Sequence, residues 1–101
     1  MQSIASRLPK STVTWSKHIE DKLETELSRL GIDRADLEEA VFEPDEVLFD
    51  AETGRNIAVK YERNLAVIFE SRSEDMFIIT AIYSSKLERV ISNRKRSGRW
   101  L

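Results

Sequence analysis

The 101-residue chain has no cysteine, one histidine, two prolines and three glycines. Without thiols it can build neither a disulfide framework nor a thiolate metal site, and a cytoplasmic setting is the expectation. A lone imidazole and no cysteine leave no His/Cys cluster, so neither a metal nor a cofactor is expected. Long apolar runs are missing too. The longest, within Met76 to Tyr83, is far short of the ~20 residues that span a bilayer. The opening MQSIASRLPK carries two cations but no continuous apolar region of signal-peptide length, so a soluble chain with no membrane partner is expected. Internal repeats and low-complexity tracts are also absent. At this length one domain is expected over residues 12–101, after a flexible arm over residues 1–11 in which Pro9 ends any local order.

What is present in quantity is charge, and it is unevenly placed. Charged residues make up 34% of the chain, with a net charge of −2. From Glu20 to Glu52 there are 13 acids against 3 bases, whereas from Lys86 to Arg99 there are 6 bases against Glu88 alone. A cationic end of this kind attracts phosphates through counterion release, and equally the acidic half of a second copy.

The hydrophobic period separates the chain into elements. Thr12 to Trp15 alternates β-branched and other residues, which allows a short extra edge strand before a Ser16 helix cap. Ile19, Leu23, Leu27 and Leu30 recur at helical spacing and predict one helix over Lys17–Leu30, with Gly31 at its left-handed C-cap. Asp33 is placed to cap a second helix, Arg34–Phe42, with Asp36 at the third position and Leu37, Ala40 and Val41 facing inward; Pro44 stops it. After Pro44 the period falls to two. Glu46–Ala51, Asn56–Tyr61, Leu65–Glu70 and Met76–Tyr83 predict a four-stranded antiparallel meander.

A three-residue turn Glu62–Asn64 would set Tyr61 opposite Leu65, Val59 opposite Val67 and Ile57 opposite Phe69. That register makes one apolar side for the helices and a smaller, more polar side bearing Ala58, Lys60, Ala66, Ile68 and Glu70, which is either solvated or partly covered by the C-terminal helix. Lys60 and Glu70 would then form a surface pair. Ser85 with Glu88 reads as a capping box opening a basic C-terminal helix, with Leu87, Val90 and Ile91 buried and Lys86, Arg89, Asn93 and Arg96 on its open side. The turn geometry brings Arg63 next to Lys86 and carries Arg89, Arg94, Lys95 and Arg96 towards Arg55 and Arg72. Trp15 and Trp100 read as packing residues or as cover for an open sheet edge.

The fold class is therefore α+β: two N-terminal helices on an antiparallel meander, then a basic helix. Specific stretches carry a resemblance beyond this order: WSKHIEDKL (Trp15 to Leu23), LGID (Leu30 to Asp33), EEAVFEPDEV (Glu38 to Val47), TGR (Thr53 to Arg55) and IITAIY (Ile78 to Tyr83). Together they resemble an uncharacterised family of small α+β domains placed near the RelE and BrnT toxins and the barnase-like ribonuclease group. The likeness covers about residues 12 to 99.

A RelE-like fold would imply metal-independent endoribonuclease activity, in which a 2′-hydroxyl attacks the adjacent phosphate, a base takes its proton and an acid protonates the leaving oxygen. On that implication His18 is the candidate base and Tyr83 a general acid if strongly acidified. Arg94 and Arg96 would clamp the phosphate, and Lys86, Arg89, Lys95, Arg99 and Arg63 would hold the RNA backbone. RNA and an antitoxin protein would be the partners. A second expectation stands beside it: a non-catalytic module that binds nucleic acid through Lys86 to Arg99, or pairs that segment with the acidic helices of a second copy as a homodimer.

Overall fold

A computed structural model describes residues 12–101; the expected arm over residues 1–11 lies outside the described residues. The protein is α+β, with three α-helices and one five-stranded mixed sheet. In chain order the elements are β1 (Thr12–Trp15), α1 (Lys17–Thr25), α2 (Arg34–Phe42), β2 (Glu46–Phe49), β3 (Asn56–Lys60), β4 (Leu65–Ser71), β5 (Asp75–Tyr83) and α3 (Leu87–Arg96). The sheet order is β1-β5-β4-β3-β2. Strands β2 to β5 form the antiparallel part, while β1 adds parallel to β5 with Val13 opposite Met76 and Trp15 opposite Ile78. No helix among the described residues is long and apolar enough to cross a membrane.

Local chemistry accounts for the helix ends. Ser16 caps α1, its hydroxyl accepting the Ile19 amide at 3.0 Å. The expected single helix over Lys17–Leu30 breaks at Glu26, and Leu27–Leu30 continues as a 3-10 turn that closes on Gly31 at φ +74. This tightening lets Leu27 stay in the core while Leu30 swings to 47% exposure. Asp33 and Asp36 make a reciprocal capping box at α2, and Leu37, Ala40 and Val41 are buried as expected. The Ser85/Glu88 box does not form. Instead the Ser84 hydroxyl accepts the Lys86 amide at 3.0 Å, and α3 starts at Leu87 after an N-cap, Lys86, that has no side-chain cap bond.

The register differs from the expected one by a single residue. Tyr61–Arg63 form a 3-10 turn and Asn64 takes φ 55, so the connection is Tyr61 to Asn64 rather than three residues. Ala58 therefore faces Val67 and Lys60 faces Leu65. A one-residue slip sends every side chain of a strand to the other face. Ala58, Leu65, Val67 and Phe69 join the core under α1 and α2, while Ile57, Val59, Ala66 and Ile68 join a second core under α3. Both faces of the sheet are buried, and α3 covers the second, one of the two outcomes expected for that side.

A bulge in β5 completes this arrangement: Ile68 pairs with Thr80 but Phe69 pairs with Ile78, leaving Ile79 over. Ile78 and Ala81 consequently share the α1 side, although strict alternation would separate them. The expected Lys60–Glu70 pair is not made. Lys60 donates to the Glu43 carbonyl at 2.7 Å, and Glu70 instead takes Arg55 at 3.4 Å and Arg72 at 3.7 Å.

After α3 the chain turns back at Gly98, φ +80, and lays its last residues along the outer edge of β2. Phe49 and Leu101 exchange backbone hydrogen bonds at 3.0 and 2.8 Å, and Ala51 donates to the Arg99 carbonyl at 2.8 Å. Trp100 is thereby driven into the second core at 2% exposure. It packs and covers an edge, as its position in the sequence leads one to expect.

Candidate nucleic-acid interface

The site grows from the amphipathic pattern of α3. Leu87 and Ile91 bury against Ile57, Val59, Ala66 and Ile68 and set the helix orientation. Lys86, Arg89, Asn93 and Arg96 are consequently exposed along the opposite side. Lys86, Arg89 and Arg96 make no ion pair with another described residue. Lys86 and Arg89 line a polar cleft of about 360 Å³ together with Tyr61, Asn64 and Ser85. It lies where the Tyr61–Asn64 turn meets the start of α3, a junction held by the Ser84 amide donating to the Asn64 carbonyl at 3.1 Å.

Other cations of the expected set are held by carboxylates. Lys95 donates to Glu46 Oε2 at 3.0 Å. Arg99 lies 3.5 Å from Asp50 and 3.7 Å from Glu52. Arg63 turns away from Lys86 and approaches Asp36 and Glu39 of α2 at 3.7 and 3.6 Å, because two carboxylates one helical turn apart face it across the other side of the sheet. Arg94 has a half-buried guanidinium whose carbon sits 5.0 Å from the centroid of the Trp100 ring, and it reaches the neighbourhood of Arg55 as expected.

Beside the cleft, Glu46 accepts hydrogen bonds from the Tyr61 hydroxyl at 2.8 Å and from Lys95. The Tyr61 bond, against the cost of burial and with help from Lys95, holds the Glu46 carboxyl below its ordinary range. Burial first, and then the same carboxylate, push the Tyr61 phenol up to about 12. Asp50 is the buried acid of the described residues at 5% exposure; its Oδ1 accepts the amides of Glu52 and Thr53 at 2.9 and 3.3 Å. Burial pushes its carboxyl up, but those two amides and Arg99 outweigh that and keep it below the usual carboxylate range.

His18 is elsewhere. It sits on α1, whose Ile19 and Leu23 pack against the face of the sheet opposite to α3. It lines a shallow groove with Asp21, Lys22, Thr25 and Glu26 of its own helix. Tyr83, 38% exposed, lines a small neighbouring cavity with Lys22, Leu27 and Leu30. The fold thus gathers His18 and Tyr83 around α1, and Lys86, Arg89, Arg94, Lys95, Arg96 and Arg99 around α3, with the β layer between the two groups. Among the described residues no group of three or more His, Asp or Glu side chains is arranged to hold a metal ion.

Sequence reasoning did not single out Tyr61, Asn64, Glu46 or Asp50. Asp50 was readable in part: an Asp three residues before Thr53 and four before Gly54 is a turn signal whose carboxylate caps the turn amides. Tyr61 and Glu46 meet only through the β2–β3 register, which places Glu46 opposite Val59. Comparison of the chain with protein-family models, with curated proteins and with solved structures gave no match.

Proposed function

We propose that this protein is a non-catalytic nucleic-acid-binding module that contacts the RNA backbone through the open side of α3. The observation that carries the reading is the set of three exposed cations, Lys86, Arg89 and Arg96, with no carboxylate partner among the described residues. Surface cations with no carboxylate beside them displace the counterions condensed on RNA when they meet its phosphates. The acidic helices α1 and α2 lie across the sheet, and on this side Glu88, which shares the cleft with Lys86 and Arg89, offsets one of the three charges. In this proposal the RelE-like kinship accounts for the order of helices, strands and final basic helix, and RNA rather than an antitoxin or a second copy is the partner.

Cleavage as implied by the resemblance requires an imidazole and guanidinium groups at one phosphate. His18 and the pair Arg94 and Arg96 stand on opposite faces of the sheet, which is why binding without cleavage is favoured. The test is fluorescence anisotropy with a labelled single-stranded RNA across a salt series. Wild type is expected to show a log–log salt slope whose magnitude falls by about 0.7 for each of Lys86→Ala, Arg89→Ala and Arg96→Ala. Slopes unchanged in all three variants would overturn the reading. RNA cut by the wild type in excess chelator, with cutting lost in His18→Ala, would instead establish the endoribonuclease.

A further inference from the structure

A second cavity, of about 220 Å³, lies behind the C-terminal turn at the other end of α3. Three arginines from three different segments, Arg55, Arg94 and Arg99, line it, with Asp50 as its one acid and Trp100 as part of its apolar wall. Its lining carries three positive charges against one negative, and Glu70 and Glu52 stand just outside it beside Arg55 and Arg99. Each guanidinium is fixed in place without being used up. Arg55 stands 3.4 Å from Glu70 and Arg99 stands 3.5 Å from Asp50 and 3.7 Å from Glu52, all longer than a charge-assisted hydrogen bond of about 2.7–2.9 Å. Arg94 is held by the Trp100 ring and has no carboxylate among the described residues.

The donors left over are the second observation. Trp100 Nε1 is buried with no hydrogen-bond acceptor, and Arg99 Nε, buried too, has only the Glu52 carboxylate at 3.7 Å, too far for a hydrogen bond; both residues belong to the cavity wall. A buried donor without an acceptor costs free energy, about 1–3 kcal/mol, and native folds seldom leave two together. An oxygen-rich anion would supply acceptors to the three guanidinium forks and to the Trp100 ring nitrogen. Thr53 and Thr80 add hydroxyls at the cavity wall. A guanidinium fork matches phosphate oxygens two at a time, and three forks from different directions suit a tetrahedral group better than a planar one.

We infer that this cavity is a phosphate-binding site, taking inorganic phosphate or the terminal phosphoryl group of a small phosphomonoester between Arg55, Arg94 and Arg99. The inference does not depend on RNA binding by the open side of α3, since its three arginines are not the three cations of that surface.

The experiment uses inorganic phosphate and phenyl phosphate as probes, with binding followed by isothermal titration and by Trp100 fluorescence in a Trp15→Phe background. Saturable binding at one site is expected, weakened at least tenfold in Arg94→Gln and in Arg99→Gln but not in Arg89→Gln. Arg94→Lys keeps the charge and loses the fork, so it is expected to fold as the parent does and still bind several-fold more weakly. Absence of saturable binding by the wild type would overturn the inference. So would equal weakening in Arg89→Gln, which marks diffuse attraction to a basic surface. RNA binding measured in parallel separates the two proposals: phosphate binding that survives while RNA binding fails upholds this site alone.

Discussion

The ammonium of Lys22 ends 2.6 Å from the carbonyl oxygen of Ala81, across the gap where β1 has stopped and the outer edge of β5 is open. Ser16 performs the same service one step earlier, its amide donating to the Ile78 carbonyl at 2.9 Å and its hydroxyl to that of Ile79 at 2.6 Å. An uncovered edge with free carbonyls is a template for another strand, and a lysine placed over it blocks that pairing. Lys22→Met keeps the aliphatic stem and removes the donor. It is expected to lower the urea midpoint by an amount equivalent to about 1 kcal/mol with an unchanged slope, and to increase self-association in sedimentation velocity. A variant with the parental midpoint and sedimentation profile would show that the edge needs no such guard.

The Tyr61–Glu46 contact should be visible at high pH. Burial, and then Glu46, raise the Tyr61 phenol to about 12. An unfolded tyrosine ionises near 10, so as pH climbs past that value the unfolded chain releases its proton first. The stabilisation is complete below about 10 and is lost as pH rises towards about 12. In a phenolate absorbance titration the difference between wild type and Tyr61→Phe should rise well above pH 10, and Glu46→Gln should bring that rise down. A difference curve centred near pH 10 would remove the buried contact from the account.

The α+β class was legible from the change of hydrophobic period, and the Gly31 terminus and the Asp33/Asp36 capping box because each depends on residues within one turn of each other. What could not be read was the phase of the sheet. Residues 57–59 and 65–69 are apolar at every position, so no polar residue marks which alternate set faces which layer. The choice fell to the turn, and the 3-10 turn that closes on Asn64 at positive φ takes in Tyr61 as one residue more. Ile79 as the bulged residue is hidden for the same reason, in a run with no polar phase to break. The site follows from this phase: with two apolar faces, α1 and α3 cover opposite sides of the sheet and carry His18 and the C-terminal arginines apart. Exposure of Lys86, Arg89 and Arg96 was readable because it depends only on helical spacing within α3.

Acid should act through Asp50. Its carboxyl is held below the ordinary value, the amides of Glu52 and Thr53 and the charge of Arg99 outweighing burial. As pH falls, the unfolded chain therefore takes up this proton first, from about 3.9 downward. The stability that Asp50 contributes is present above that value and lost as pH falls through the lower folded one. Asp50→Asn keeps an acceptor for the two turn amides and removes the titration. Its stability, followed by circular dichroism in urea between pH 6 and 3, should decline less steeply than that of wild type; an equally steep decline would place the acid sensitivity in other carboxylates.

The C-terminal turn offers the sharpest separation between backbone and packing effects. Gly98 has φ +80, yet a Cβ built there meets nothing within 4 Å. Gly98→Ala is therefore charged only with the left-handed conformation, about 1 kcal/mol. Trp100→Ala, two residues on, removes a ring that is 2% exposed and packs with Leu48, Ile57, Ile68 and Ile91 in the core under α3, and a loss of about 3–5 kcal/mol is expected. The two changes also differ in where they act. The amides of Arg99 and Trp100 both donate to the Arg94 carbonyl, at 3.0 and 3.1 Å, so a strained Gly98→Ala turn should loosen the last residues from the edge of β2 while leaving the core filled. Amide hydrogen exchange at Phe49, Ala51 and Leu101 should then speed up in Gly98→Ala with little change at Ile57 or Ile68, and speed up at all five in Trp100→Ala. Equal protection at Phe49 and Leu101 in Gly98→Ala and wild type would mean that the Trp100 ring alone pins the chain end, and that the turn follows from it.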